Sequence, residues 1–349
     1  MMSNQPIKII QVGMGGWGRN WAQTLARHPE VVEVVAHVDV VPQMLDTFQA
    51  ETGVPSSRLH TMLDEALAAT AAEGIDVDGV LVTTALMGHM PVTLAALDVG
   101  KHVLLEKPFA PSLVEARVAV DKAAALGKVL MISQNYRFYP APQAVAALVA
   151  SGELGAVGSV AVNFRKYANA SPRESNKHYH IRQPLLMDMS IHHFDMMRYV
   201  LGQNASELYC RAWNPAWSNF DEPAEAIGTI AFDGGAVVDY HGSWVSTDKP
   251  TNWGAAWRIE CADGVIEWTS RNDTTTDADE VIVRRRKKRP QRIPLAPMPW
   301  YDRVGSTAAF AQAIRSGIEP MTSGRDNLGS IALMFAMIES SESGRPVTL

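Results

Sequence analysis

Three features of the chain predict two domains: a doubly wound parallel α/β sheet first, then an α+β domain with a large, mostly antiparallel open sheet. The 349 residues exceed one typical domain, and 47% apolar against 19% charged content suits two buried cores. From Ile7 to Gln134, strand-like and helix-like segments alternate, the pattern of parallel strands joined by crossover helices. After about residue 150 the chain turns to strands of alternating character separated by tight-turn sequences.

The first strand, 7–12, carries Ile7, Ile9, Ile10 and Val12. It runs into Gly13-x-Gly15-x-x-Gly18 and then a helical pattern with Trp21, Leu25 and Ala26. Gly13 permits a tight turn, Gly15 lets backbone approach a pyrophosphate, and Gly18 lets the helix pack closely, so the first-turn N–H groups face an anion. Gly16 and Trp17 complete this Rossmann-type loop. The second strand, 31–38, ends at Asp39, 26 residues beyond Gly13, where a dinucleotide fold puts the acid that receives the adenosine ribose. Asp39 would repel a 2′-phosphate and Val40, Val41 and Pro42 offer no cation, so NAD is expected in preference to NADP. Asp39 also suits capping of the next helix.

Helices are expected from 43, near 62–72, at 89–98 and at 113–126, with strands at 79–83, 102–105 and 128–132. Gly100 and Gly127 mark helix ends, and Ser112-x-x-Glu115 is a capping box. Ligands of such sheets lie beyond the carboxyl ends of the strands. The residues there are Thr83, Thr84, Glu106, Lys107, Gln134 and Asn135. The expected coenzyme set is therefore Gly13, Gly15, Gly16, Trp17, Gly18, Asp39, Thr83, Thr84, His89, Glu106, Lys107 and Asn135.

In the second domain Val160, Val162 and Phe164 alternate along a strand, and Phe232-Asp233-Gly234-Gly235 and Cys261-Ala262-Asp263-Gly264 read as turns. A helix is expected over 185–201, closed by Gly202, and two more at 303–316 and 324–343. The boundaries are thus 1–136 and 137–349, the last helix returning toward the first domain. An open sheet must cover its bare face, so a homodimer or homotetramer is expected, with tryptophans such as Trp213, Trp257 and Trp268 in core or interface. The basic run Arg284 to Arg289 follows the acid-rich Asp273 to Glu280, which favours a charged hairpin or subunit contact over nucleic acid. A net charge of -6 also argues against a nucleic-acid partner. No 18-residue apolar span or signal-like start is present, and Cys210 and Cys261 form no framework, so a reduced, cytoplasmic location is expected.

The Gly13 to Gly18 fingerprint, the run Gly100-Lys101-His102-Val103-Leu104-Leu105-Glu106-Lys107-Pro108, and Asp188-x-x-x-His192-x-x-Asp195 together resemble the Gfo/Idh/MocA family of glucose-fructose oxidoreductase and inositol dehydrogenases. The resemblance reaches the ending Gly344-Arg345-Pro346. It departs at Pro184-Leu185-Leu186 and at Ser190, where members often carry glycine. It implies an NAD-dependent oxidoreductase acting on a CH–OH group of a sugar, cyclitol or related polyhydroxy compound.

Oxidising a secondary alcohol requires a base for the hydroxyl proton and a cation near the oxygen. Lys107, at a strand end, supplies the cation and can relay the proton. Asp188 and His192 are four apart and share a face if helical, so His192 is expected as general base and Asp188 as the group that binds substrate and tunes it; Asp195 lies further along that stripe. His193 points away and suits packing. Arg165, Tyr167, His178 and Tyr301, with Lys107, Asp188 and His192, form the expected substrate set, and Arg137 and Tyr179 are further polar candidates. His178, His180, Asp188, His192 and His193 are metal-ligand types without a ligand spacing, so no metal is assigned. Two other readings stay open: a non-catalytic NAD-binding redox sensor or regulator, and redox-assisted elimination or glycoside hydrolysis with tightly bound NAD.

Overall fold

The computed structural model describes residues 5–272 and 279–349. Two compact units emerge, Met1–Asn135 with Trp300–Leu328, and Tyr136–Pro299 with Gly329–Leu349. The first junction falls beside the expected boundary, but residues 300–328, placed by sequence in the second domain, belong to the first unit.

In the first unit β1 (Ile7–Val12), β2 (Val32–Val38), β3 (Leu59–His60), β4 (Gly79–Val82), β5 (His102–Leu105) and β6 (Leu130–Ile132) form a parallel sheet in the order β3-β2-β1-β4-β5-β6. The order reverses between β1 and β4, so the crevice lies past the carboxyl ends of those strands. Ile9, Ile10, Val80, Leu81, Val103 and Leu104 are fully buried, as strands covered on both faces require. The crossovers are α1 (Gly16–Leu25), α2 (Pro42–Thr52), α3 (Leu63–Ala72), α4 (Leu86–Asp98) and α5 (Leu113–Ala125). Half of the expected capping box is present: Ser112 Oγ accepts from the Glu115 amide, and the Ser112 hydroxyl donates to the Glu115 carboxylate.

The second unit is built on β7 (Val157–Arg165), β8 (Ala205–Trp213), β9 (Glu225–Phe232), β10 (Val237–Ser243), β11 (Ala256–Cys261), β12 (Gly264–Thr269), β13 (Glu280–Arg284), β14 (Gln291–Arg292) and β15 (Val347–Thr348). Their order is β14-β13-β12-β11-β7-β10-β9-β8-β15, antiparallel except for the parallel pair β7/β10, which makes the sheet mixed. The turns at 232–235 and 261–264 form as expected, closing β9/β10 and β11/β12. One face is buried by Val160, Val162, Phe164, Val238 and Tyr240, and the other leaves Tyr209, Ile227 and Val237 exposed. Also in this unit are α6 (Pro140–Ala150) and α7 (Ser190–Leu201).

The helix expected over 185–201 is two pieces. Pro184–Met189 is a π-helical turn, preceded by Gln183 in the left-handed region at φ 46°, and α7 starts only at Ser190. The wider turn alters the angular phase between Asp188 and His192 that an unbroken α-helix would give. α8 (Asp302–Ser316) packs with α1, β2 and β5 in the first unit, so it, rather than the last helix alone, makes the return. α9 (Gly324–Ser343) starts against Leu130 and Val120 of the first unit, while in the second its Ser340 and Ser341 hydroxyls accept from the Cys210 and Ala212 amides. The basic run continues from β13 into the β13/β14 hairpin, where Arg284 pairs with Glu267 and Arg285 with Glu153. Most of the acid-rich stretch, 273–278, lies outside the described residues. No helix of the described residues is long and apolar enough to cross a membrane.

Candidate active site

Glycine is obligatory at two points of the loop after β1. Gly13 has φ 103°, and a Cβ there would lie 2.5 Å from the Thr84 nitrogen; a Cβ on Gly18 would lie 1.9 Å from the Gly13 oxygen. Around Gly15 and Gly16 nothing comes within 4 Å of a built Cβ, leaving the backbone open where α1 begins, and no side chain caps the helix. Asp39 accepts from Met14 N at 2.6 Å and Val41 N at 2.9 Å, so it ties the end of β2 to the glycine loop. A carboxylate accepts about four hydrogen bonds, so these two leave capacity for ribose hydroxyls. Arg19, overlooked in sequence, donates to Met14 O at 3.2 Å in the same loop and pairs with Glu51 at 3.1 Å.

Past the other strands, the expected coenzyme residues divide into braces and open groups. Thr83 donates to Gly13 O at 2.7 Å and accepts from Gln11 at 3.1 Å, so it braces the loop. His89 is buried with its ring nitrogens 2.9 Å from Pro108 O and 3.1 Å from Thr84 O, joining the segments after β4 and β5; burial lowers its pKa. Glu106 is buried and accepts from Trp21 Nε1 at 2.7 Å and Lys107 N at 3.0 Å. Burial raises its carboxyl above the ordinary value, partly opposed by the Lys107 charge. Lys107 follows directly, half-buried, with a cis peptide to Pro108. Asn135 hydrogen-bonds Asp302, and Arg303 stacks over Trp17 at 4.7 Å, so the start of α8 is built into this end of the sheet. Tyr301, expected among substrate residues of the second domain, is instead the exposed residue preceding α8 in the first unit.

The Thr84 hydroxyl and both polar atoms of the Gln134 amide are buried without a protein hydrogen bond among the described residues. Such groups are normally satisfied by ligand or water. With the open cradle at Gly15 and Gly16, they fit a polar dinucleotide.

In the second unit α7 carries two histidines with different surroundings. His192 lies flat on Tyr136, ring centroids 4.0 Å apart and planes 3° from parallel. His193 is fully buried between the Tyr240 hydroxyl at 3.1 Å and the Trp253 carbonyl at 3.0 Å, and burial pushes its pKa down to about 4. Ser190, at the departure from the family pattern, meets the same Tyr240 hydroxyl at 2.6 Å. Asp188 pairs with His178 at 3.4 Å, a partner that sequence spacing did not suggest. His178 meets Trp244 edge-on at 5.2 Å, and Trp244 lies 6.0 Å from Trp253.

Arg165 does not join this group. Phe164, next to it on β7, packs on His193, Trp244 and Trp253, and successive strand residues face opposite sides. Arg165 reaches Asp248 at 3.4 Å and the Lys249 carbonyl at 3.3 Å instead. Tyr167 is exposed, in an isolated bridge with Val245. Arg137 and Asp195 form a buried two-point pair, both bonds 2.6 Å, with Ser330 donating to Asp195 at 2.7 Å; this is packing machinery, not substrate recognition. Tyr179 is buried, its hydroxyl donating to Ala168 O at 2.8 Å. Tyr136, the ring beneath His192, was missed in sequence.

Residues 7–134 match the family model described as "Oxidoreductase family, NAD-binding Rossmann fold", and residues 146–349 match "Oxidoreductase family, C-terminal alpha/beta domain". The chain belongs to the Gfo/Idh/MocA oxidoreductase family. This Gfo/Idh/MocA protein is 25% identical over 344 residues to 1,5-anhydro-D-fructose reductase of Ensifer adhaerens, covering 95% of this chain and 98% of the relative. It is 27% identical over 355 residues to D-apiose dehydrogenase of Paraburkholderia graminis, covering 97% and 88%. The inositol dehydrogenase homolog of Azotobacter vinelandii, solved with NADH and myo-inositol, superposes with a TM-score of 0.82 over 99% of this chain and 98% of that one. At 20% identity that likeness establishes the fold.

Proposed function

We propose that the protein is an NAD-dependent dehydrogenase oxidising a hydroxyl of a sugar, cyclitol or related polyhydroxy compound, with Lys107 and His192 handling the proton. The observation that carries the reading is Lys107 at the carboxyl end of β5, next to buried Glu106, in a family member whose glycine loop suits a dinucleotide. Gly13, Gly15, Gly16, Trp17, Gly18, Asp39 and Thr84 would hold the coenzyme, with Thr83, His89, Glu106 and Asn135 shaping its walls. NAD, when bound, supplies a hydride acceptor at nicotinamide C4. Lys107 stabilises the oxygen as negative charge develops on it, and His192, oriented by Tyr136, takes the proton. Asp188 and His178 serve as hydroxyl-binding groups. NAD is preferred because Asp39 repels a 2′-phosphate and Glu51 already pairs with Arg19. Relatives named for apiose, anhydrofructose and scyllo-inositol support the substrate class.

The test is NADH absorbance on incubation with NAD and a panel of aldoses, inositols, sugar acids and sugar phosphates. Reduction of NAD by at least one polyhydroxy compound is expected. NADH binding with no turnover on any of them would favour a non-catalytic sensor.

A further inference from the structure

We infer that the cavity between α1, α2 and β2 of the first unit is a second ligand site, taking a small uncharged molecule with a ring-sized apolar body and one hydroxyl group held by His37. The cavity measures about 510 Å³, within the range of small-molecule sites. Ala22 and Leu25 of α1, Val32 and Val34 of β2, Phe48 of α2 and Val54 beyond it form apolar walls, and His37 lines it as well.

His37 reaches this face through an irregularity in the sheet. β1 and β2 pair Ile9 with Val34 but Ile10 with Ala36, so Val35 is an extra residue in β2. Regular alternation would send His37 to the side opposite Val34; the bulge brings the two to one side. Bulges are uncommon between parallel strands, and re-aiming a side chain is one of their uses near functional sites.

The surroundings of His37 are almost wholly apolar. The residue is 6% exposed, its ring centre lies 4.6 Å from that of Phe48, and its Nδ1 is buried without a hydrogen bond. Burial keeps the imidazole neutral, with its pKa pushed down to about 4. A buried polar group normally has a partner, and one left without it costs stability that a leucine would not. Packing alone therefore favours a hydrocarbon at this position. Water is a poor occupant, because a buried water needs about two to four polar partners. Besides His37 the polar lining is Gln23 and Glu33, both exposed, and Thr52, whose hydroxyl already donates to Phe48 O at 2.7 Å.

The same walls set the chemistry of the ligand. Among the described residues no lysine or arginine lines the cavity, and exposed Glu33 would repel an anion. The Phe48 ring and the aliphatic walls suit a ring whose burial removes apolar surface from water. A hydroxyl serves the imidazole in either tautomer, donating to a bare nitrogen or accepting from a protonated one. The coenzyme is a different ligand: its cradle opens at Gly15 and Gly16, where α1 begins, whereas this cavity is walled by Leu25 at the helix end, about 14 Å away along the axis.

The test titrates phenol, and toluene as the same shape without the hydroxyl, into the whole chain with isotopically labelled histidine rings, followed by NMR with and without saturating NADH. Phenol should move the His37 ring signals, identified by their loss in His37→Leu, in both conditions. It should bind about threefold to tenfold more tightly than toluene, the scale of one neutral hydrogen bond. His37→Leu should bring phenol down to the affinity of toluene and leave toluene unchanged. Ala26→Phe, at an exposed position of the lining, should weaken both probes by at least about tenfold by filling the space they need. Equal affinity for phenol and toluene in the parent, phenol shifts confined to other histidines, or displacement of phenol by NADH would each overturn the inference. Binding of neither probe would leave the cavity to solvent and overturn it as well. Should His37→Leu fail to fold, undiminished phenol binding in Ala26→Phe would still refute the site.

Discussion

The imidazole of His192 is stacked on the phenol ring of Tyr136, while its neighbour His193 is sealed between Tyr240 and the Trp253 carbonyl. Adjacent helix positions point about 100° apart, so one turn of α7 supplies both a candidate proton acceptor and a structural peg.

The proposed division of labour is tested by alanine substitution. Lys107→Ala and His192→Ala should fold, bind NADH nearly unchanged in fluorescence titration, and lose at least about a hundredfold in kcat, the usual cost of losing a general base or its partner. His193→Ala should lower the melting temperature and reduce kcat much less. A crippled His193 variant beside an active His192 variant would reverse the assignment.

Coenzyme choice depends on Asp39 and its surroundings. Asp39→Ala with Val40→Arg should weaken NAD and strengthen NADP, since a repulsive carboxylate gives way to a phosphate partner. Calorimetry on the parent protein should show NAD bound more tightly. Equal affinity for NADP would point to Arg19, which already reaches the glycine loop.

Acid stability follows from two buried histidines. Burial pushes both His37 and His193 down to about 4, whereas in the unfolded chain they protonate near the ordinary value of 6.5. As pH falls below 6.5 the unfolded chain takes up protons that the fold refuses, so stability drops until about pH 4 and then levels off. Each contributes on the order of 3 kcal/mol across that window. Urea midpoints should therefore fall between pH 7.5 and 5, and His37→Leu should remove about one proton from the slope. A slope unchanged in that variant would mean that His37 does titrate in the folded state.

The Arg137–Asp195 pair is buried on both sides. Arg137→Ala leaves an uncompensated carboxylate and should destabilise the second unit by about 3–5 kcal/mol, read from denaturation midpoints. Loss of activity without loss of stability would instead make Arg137 a substrate residue.

The bare face of the second sheet, with Tyr209, Ile227 and Val237 exposed, predicts a homodimer or homotetramer. Light scattering should give at least twice the 38.1 kDa chain mass at micromolar concentration. Tyr209→Glu with Ile227→Asp should shift it toward the monomer. A monomeric parent would refute this assembly.

Much of this protein was legible in the chain because it is written in neighbours. Alternation of apolar runs and helix stops determined the parallel sheet, the Gly13 to Gly18 spacing determined the loop, and Asp39 and Lys107 followed as the residues just past two strands. Tertiary structure decided what depends on phase and on meetings across long separations. The π-helical turn at Pro184–Met189 reset the angle between Asp188 and His192, which a count of 3.6 residues per turn cannot anticipate. The alternation of β7 put Phe164 against His193 and sent Arg165 to Asp248, and a left-handed residue 79 positions beyond His192 brought Arg271 to Tyr136. Local sequence carries backbone preference and the period of burial. Side chains that meet across dozens of residues do so through strand register and chain topology, which only the packed fold specifies.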